Sequence, residues 1–338
     1  MSDCSDEIQN YNVARMKFLV TGGMGFIGQS VVRNLLARQI PVVAADQAAD
    51  QGALAIFTRL AQSTGASFDS LPMDVGDFRD VMNVFHKHPG ITHAIHLAYV
   101  MGPLVDENTA LSTRVNILGM THMFEAALHR KLARLVFTSS ETVHGPSQKP
   151  YGDRPVIEED FCDPASHTFT YAVMKLLNEH MGRRYVERHG AGIVCTRPPV
   201  VFGHGRKRSA VMWAEHFASK PAIGRPVTLP FGPETRDTWI YKDDCAEQLV
   251  RLALKSNLGH FVYNNGGHSV TAAELAAIVK IWLPAAQIDF SPGTGTPLID
   301  NQDGTRLIRE IDFAPNPLEQ GVRAHINEAR ACAGLPAV

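Results

Sequence analysis

Thr21-Gly22-Gly23-Met24-Gly25-Phe26-Ile27-Gly28 is the stretch whose reading decides the fold. It follows Met16-Lys17-Phe18-Leu19-Val20-Thr21, a short apolar run that reads as a buried strand. It also opens a segment, Phe26 to Leu36, whose apolar residues recur at helical spacing. Glycines in a strand-to-helix turn let a ligand approach the backbone, and the first N–H groups and positive end of the helix face an anion such as a pyrophosphate. Two templates fit, Gly22-x-x-Gly25-x-x-Gly28 and Gly23-x-Gly25-x-x-Gly28, and a purely structural turn would use the same residues.

A second apolar strand, Pro41-Val42-Val43-Ala44-Ala45-Asp46, ends in an acid about twenty residues beyond the turn. There a carboxylate accepts hydrogen bonds from both hydroxyls of a ribose diol and repels a 2′-phosphate. Asp46, followed by Gln47 rather than arginine, therefore favours NAD over NADP; the alternative is a solvated strand-end acid. Further along, Tyr171 and Lys175 stand four residues apart in a helix-forming stretch, so their side chains share one face. An ammonium beside a phenol favours the phenolate. Lowering a tyrosine from ~10 to neutrality takes roughly 4 kcal/mol, more than one surface lysine supplies, so a sheltered site with a second positive charge is expected. Ser140 is the candidate hydroxyl for holding a substrate oxygen beside the phenol.

Taken in order, these segments resemble the extended short-chain dehydrogenase/reductase family, which includes NAD-dependent sugar epimerases and dehydratases. The resemblance runs from about Lys17 onward through Asp74-Val75, His96-Leu97-Ala98, Asn116-Ile117-Leu118-Gly119, Val136 to Gly145, Tyr171 with Lys175 and Glu179, Arg197 to Gly203, Arg236 to Asp244, and Gly304-Thr305-Arg306. It implies a Rossmann-type doubly wound parallel sheet with a smaller C-terminal α/β substrate lobe, and NAD as cofactor. It further implies cofactor contacts at Gly22, Gly25, Phe26, Ile27, Gly28, Asp46, Gln47, Asp74, Val75, Leu97, Ala98, Tyr99, Asn116, Thr138, Ser139, Tyr171, Lys175, Pro198 and Pro199. Ser140, Tyr171 and Lys175 would be catalytic, and Ser140, Glu141, Thr142, Val200 and Arg236 would face the substrate. The helices near Glu107–Arg130 and Tyr171–His189 resemble those that pair in a four-helix homodimer interface, with Met120, Met123, Phe124 and Leu128 as an apolar stripe.

The sequence departs from the family in ways that bear on the reaction. Sugar dehydratases usually place two acids after the catalytic hydroxyl, whereas Ser140 is followed by Glu141 and Thr142. Where nucleotide-sugar enzymes carry an asparagine for the substrate phosphate, Val200 stands. Both point to an NAD-dependent dehydrogenase of a smaller secondary alcohol or ketone, such as a sugar or sugar acid, with a nucleotide-sugar epimerase as the second reading. Arg236 suits a substrate carboxylate or phosphate, or an ion pair with an acid such as Asp244. His144 reads as a buried core histidine, and Arg206-Lys207-Arg208 as a solvated loop cluster.

With 338 residues, 45% of them hydrophobic, the chain can bury a large core. We divide it into residues 16–197 for the cofactor domain and 198–338 mainly for the substrate lobe, with a strand near 259–264 returning to the main sheet. A net charge of −2 gives no footprint for nucleic acid. No apolar run reaches membrane-spanning length. Residues 1–15, carrying Asp3, Asp6 and Glu7 without an apolar core, read as a disordered leader rather than a secretory signal. Five scattered cysteines argue against a disulfide framework, so a cytoplasmic location is expected. No metal site is expected, since His86 and His88 precede Pro89-Gly90 as a solvated helix end.

Overall fold

A computed structural model describes residues 16–161, 163–207, 209–293 and 297–338. The expected leader at 1–15 lies outside them, as does Arg208. In chain order the strands are β1 (Phe18–Thr21), β2 (Val42–Asp46), β3 (Phe68–Pro72), β4 (His93–His96), β5 (Arg134–Thr138), β6 (Ile193–Arg197), β7 (Val200–Phe202), β8 (Val227–Leu229), β9 (Arg236–Tyr241), β10 (Val262–Asn264), β11 (His268–Thr271) and β12 (Ile288–Phe290). The longer helices are α1 (Phe26–Ala37), α2 (Gln51–Thr64), α3 (Phe78–Lys87), α4 (Gly119–His129), α5 (Thr170–His189), α6 (Trp213–Ala222), α7 (Lys242–Leu254), α8 (Ala272–Trp282), α9 (Thr305–Ile311) and α10 (Leu318–Cys332).

Seven strands form one sheet in the order β3-β2-β1-β4-β5-β6-β10, and every pairing in it is parallel. Parallel strands covered on both faces need continuous apolar runs, which explains Val42-Val43-Ala44-Ala45, all fully buried. Helices α1, α2 and α7 pack on one face through Val31, Leu35, Phe57 and Leu249. Helices α3 and α4 pack on the other through Val84, Phe85, Met123 and Phe124. The strand order reverses between β1 and β4, and the glycine turn lies at that switch point, where doubly wound sheets bind ligands.

The substrate lobe is built from β7, β9 and β11, the parallel pair β8 and β12, and α6, α8 and α10 around Phe202, Phe217, Trp239 and Leu275. Strand β10 returns to pair with β6, as the sequence suggests. Helices α7 and α9 return as well, since Leu249, Leu307 and Ile311 belong to the main core. Thr271 and Glu274 close a capping box at the start of α8. No helix among the described residues is long and apolar enough to cross a membrane.

The expected long helix at 107–130 is broken. Short helices at Leu104–Glu107 and Thr109–Ser112 lead into a π-helical turn, Thr113–Leu118, before α4 begins. The cause is Asn116, fully buried, whose amide accepts from Val100 N (2.7 Å) and donates to Val100 O (3.1 Å), holding the wide turn against the segment after β4. Met120, Met123 and Phe124 are core residues of their own chain rather than a surface stripe. The exposed apolar side chains on this side are Leu118, Val173 and Leu177.

Candidate active site

The glycine turn adopts the first of the two templates. Gly22 sits at φ +68°, and a Cβ there would lie 2.8 Å from Ala98 N, so turn and β4 end approach backbone to backbone. A Cβ on Gly28 would lie 2.0 Å from Gly22 O. Gly25 is the N-cap of α1 with no side-chain cap, and no acid occupies the first turn, so the positive end of the helix is left for an anion. Thr21 Oγ1 joins the two strand ends, accepting from Leu97 N (3.2 Å) and Ala98 N (3.3 Å) and meeting His96 Nδ1 at 2.6 Å.

Asp46 lies at the end of β2 with one carboxylate oxygen accepting from Met24 N (3.0 Å) and the other from Gln47 N (2.8 Å), so it is locked to the turn. Asp74 pairs with Arg114 and accepts from Gly76 N (2.8 Å). Burial alone would raise its carboxyl, but these partners hold it below the usual range. A groove of about 480 Å³ lined by Gln47, Leu71, Met73 and Asp74 opens beside them. Val75 instead points into the core under Gly119, leaving its carbonyl to accept from His122. The free helix N-terminus, the anchored Asp46 and this groove together fit a dinucleotide.

Tyr171, in the first turn of α5, and Lys175, one turn on, share a helix face as their spacing requires. The ammonium lies 5.5 Å from the Tyr171 ring centroid, but it docks elsewhere, donating to Thr138 O (2.6 Å) and sitting 3.5 Å over the Tyr99 ring. Tyr99, expected only to line the cofactor, thus packs against both members of the pair, edge-on to Tyr171 at 5.6 Å. Asn178 holds its hydroxyl (3.2 Å) and donates to Asn116 O (3.0 Å), coupling α5 to the π-turn. The lowered phenol is expected with the nicotinamide charge in place; the groups of the chain alone set a different balance. Burial pushes Tyr171 up to about 12, against the opposing hydrogen bond from Ser140 and the charge of Arg206. Burial also pulls Lys175 down to about 7.

Several expected contacts fall differently. Val200 is buried in the lobe core opposite Trp239 and presents no group to a substrate. Arg236 donates to Ser269 O (2.8 Å) and pairs with Glu274 (3.5 Å), not with Asp244, which instead accepts from Asn316. Its guanidinium is engaged within the lobe because β11 runs antiparallel beside β9. Pro198 and Pro199 are buried at the end of β6, where Pro198 O accepts from Glu141 N (3.0 Å). Ser139 is buried at the end of β5. His144 is a core histidine held by Asp160 O and Asn264, as its setting in the sequence suggests.

Two residues of the site escape a reading of the sequence. Arg206 is not solvated: its guanidinium lies 4.5 Å over the Phe26 ring, donates to Val201 O and Ser209, and keeps Nε buried without a partner among the described residues. Asp237, from β9, faces Glu141. Burial and the neighbouring carboxyl raise Glu141 well above its usual range, while burial and Asp300 push Asp237 up to about 8. Glu141 Oε2 and Thr142 Oγ1 are buried beside Ser140 with no hydrogen-bond partner among the described residues. Both residues reach the site from the second lobe, which spacing near Ser140 cannot reveal.

The sequence profile of the NAD dependent epimerase/dehydratase family matches residues 18–266. A dTDP-glucose 4,6-dehydratase of Streptomyces niveus is 25% identical over 311 residues, 89% of this chain and 88% of its own. The structure of a Thermus thermophilus UDP-glucose 4-epimerase complexed with NAD is 25% identical with a TM-score of 0.74, covering 93% of this chain and 99% of its own. An L-threonine dehydrogenase from Clostridium difficile shares the fold at a TM-score of 0.79 and 17% identity, over 95% of this chain and 99% of its own.

Proposed function

The chain belongs to the NAD-dependent epimerase/dehydratase family of enzymes, and from that premise we propose that it transfers hydride between NAD and a secondary alcohol or ketone of a small sugar, sugar acid or similar metabolite. When bound, NAD supplies the hydride-exchanging carbon and, in its oxidised form, a positive charge. The glycine turn and Asp46 would hold it, with Lys175 and Thr138 at its reactive end.

The observation that carries this reading is the Tyr171 phenol with the Ser140 hydroxyl beside it and the Lys175 ammonium one helical turn behind. Ser140 orients the substrate oxygen, and Tyr171 donates or accepts its proton. A phenol near 12 is protonated at neutral pH, so the resting triad is set to protonate an alkoxide. Alcohol oxidation needs the proton to leave and gains as pH rises. Thr142 stands where a dehydratase would carry the second acid of the pair after its catalytic hydroxyl, and burial raises the one acid there, Glu141, well above its usual range. Val200 offers no polar group to a nucleotide phosphate, and Arg236 rests on Ser269 O and Glu274.

The test is NADH formation across polyols, aldonates, hydroxy acids and nucleotide sugars. Tyr171→Phe should lose about 10²–10⁴-fold in turnover with NAD binding retained; wild-type turnover in that variant removes the assignment. Tightly bound NAD with no net NADH from any substrate would instead favour the epimerase. We further propose a cytoplasmic homodimer, paired through the exposed faces of α5 and the π-turn.

A further inference from the structure

His204 lies in the loop after β7, Glu215 and Ser219 are one turn apart on α6, and His325 is on α10. A loop, the helix that follows it and the distant α10 therefore meet at one point in the substrate lobe. His204 Nδ1 is 3.2 Å from Glu215 Oε1 and 3.0 Å from Ser219 Oγ, and Ser219 Oγ is 2.8 Å from His325 Nε2. The ligating atoms of His204, Glu215 and His325 all fall within 4.8 Å of one another. A tetrahedral zinc with bonds of about 2.0–2.2 Å keeps its donors roughly 3.3–3.5 Å apart. The contacts of 2.8–3.2 Å are those of a hydrogen-bonded cluster, and a ligand pair as wide as 4.8 Å would have to close by about 1.3 Å to reach that tetrahedral spacing around an ion.

We propose that His204, Glu215 and His325 ligate a zinc ion, with Ser219 or a water at the fourth corner, and that this ion staples the loop after β7 to α6 and α10. The donor set is two imidazoles and one carboxylate, which suits zinc or a neighbouring first-row cation and is poor for magnesium or calcium, whose ligands are oxygens. His325 is fully buried and its orientation is set by packing: Phe202 stacks on the ring at 6.2 Å and Phe217 meets it edge-on at 5.4 Å. Its Nδ1 has no partner, so the Nε2 edge aimed at Ser219 makes the ring's only polar contact among the described residues. The side chains of His204 and Glu215 are 28% and 11% exposed, which opens the cluster to solvent on one side. Lys242, which donates to His204 O at 3.4 Å, is neutralised by Glu328 and adds little repulsion. The cluster adjoins the residues beside Tyr171, because Arg206, which lies over Phe26, is two residues beyond His204 in the same loop.

The experiment uses the full, tag-free chain equilibrated with ZnCl2 and desalted, alongside Glu215→Gln and His204→Gln. Elemental analysis should find about one more zinc per wild-type chain than in either variant. Zinc a hundredfold above Kd should raise the wild-type Tm by about 4 °C over the EDTA-treated protein, and neither variant should respond. Circular dichroism and NAD binding report whether the variants are folded, and a single folded variant suffices for the comparison. Equal zinc content in wild type and a folded variant, or a wild-type Tm indifferent to zinc and EDTA, would overturn the site and leave a network of hydrogen bonds.

Discussion

Arg206 supplies a positive charge at the phenol that the sequence reading, which looks to Lys175 and the nicotinamide, does not name. Lys175 is drawn to Thr138 O and the Tyr99 ring, while the charge of Arg206 lowers the Tyr171 phenol against the dominant effect of burial. Arg206→Gln should therefore move the pH profile of NADH formation to higher pH. A shift of one unit corresponds to about a tenfold loss at a fixed pH below the transition. Superimposable profiles for variant and wild type would show that Arg206 does not act on the phenol. Ser140, Tyr171 and Lys175 were legible because a helical period and a strand end place them. Arg206 and Asp237 were not, because their proximity to Tyr171 and Glu141 depends on how the lobes close over each other.

Helix α5 is held to the sheet by a buried fork. Arg197, at the end of β6, donates from Nε and Nη2 to the two carboxylate oxygens of Glu179 at 2.9 and 2.7 Å, with both side chains nearly inaccessible. Burial by itself would raise Glu179, but the charge and hydrogen bonds of Arg197 overcome it and keep the carboxyl below its usual value. Removing one partner of such a pair costs about 3–5 kcal/mol, because the other charge stays buried. A pKa lowered on folding contributes stability above the unfolded value of about 4.3 and loses it as pH falls through the folded value. Glu179→Gln should thus be less stable than wild type at pH 7 in urea unfolding, and the gap should narrow below about pH 4.3. A gap independent of pH would contradict this account. The sequence showed α5 through its spacing, yet it gave no sign of the break at Thr113–Leu118, which arises from the tie between Asn116 and Val100.

At the scale of the molecule, α5 and the π-turn leave Leu118, Val173 and Leu177 at 45%, 42% and 43% exposure on helices that pack against each other. Light scattering should return twice the 37.0 kDa chain mass, and Val173→Glu with Leu177→Glu should return a single chain. A wild-type monomer at micromolar concentration would remove the dimer. The doubly wound sheet was legible from alternating strand and helix patterns, and so was the return of β10. The return of α9 was not, because its apolar residues fit either core until the packing is known.

That return also sets the order in which the sheet can close during synthesis. Sixty-four residues, 198 to 261, separate β6 from the strand that covers its edge. At roughly 5–20 residues per second, a nascent chain carries β6 with an unpaired edge for about 3–13 seconds after emerging, a window in which intermolecular strand pairing competes with folding.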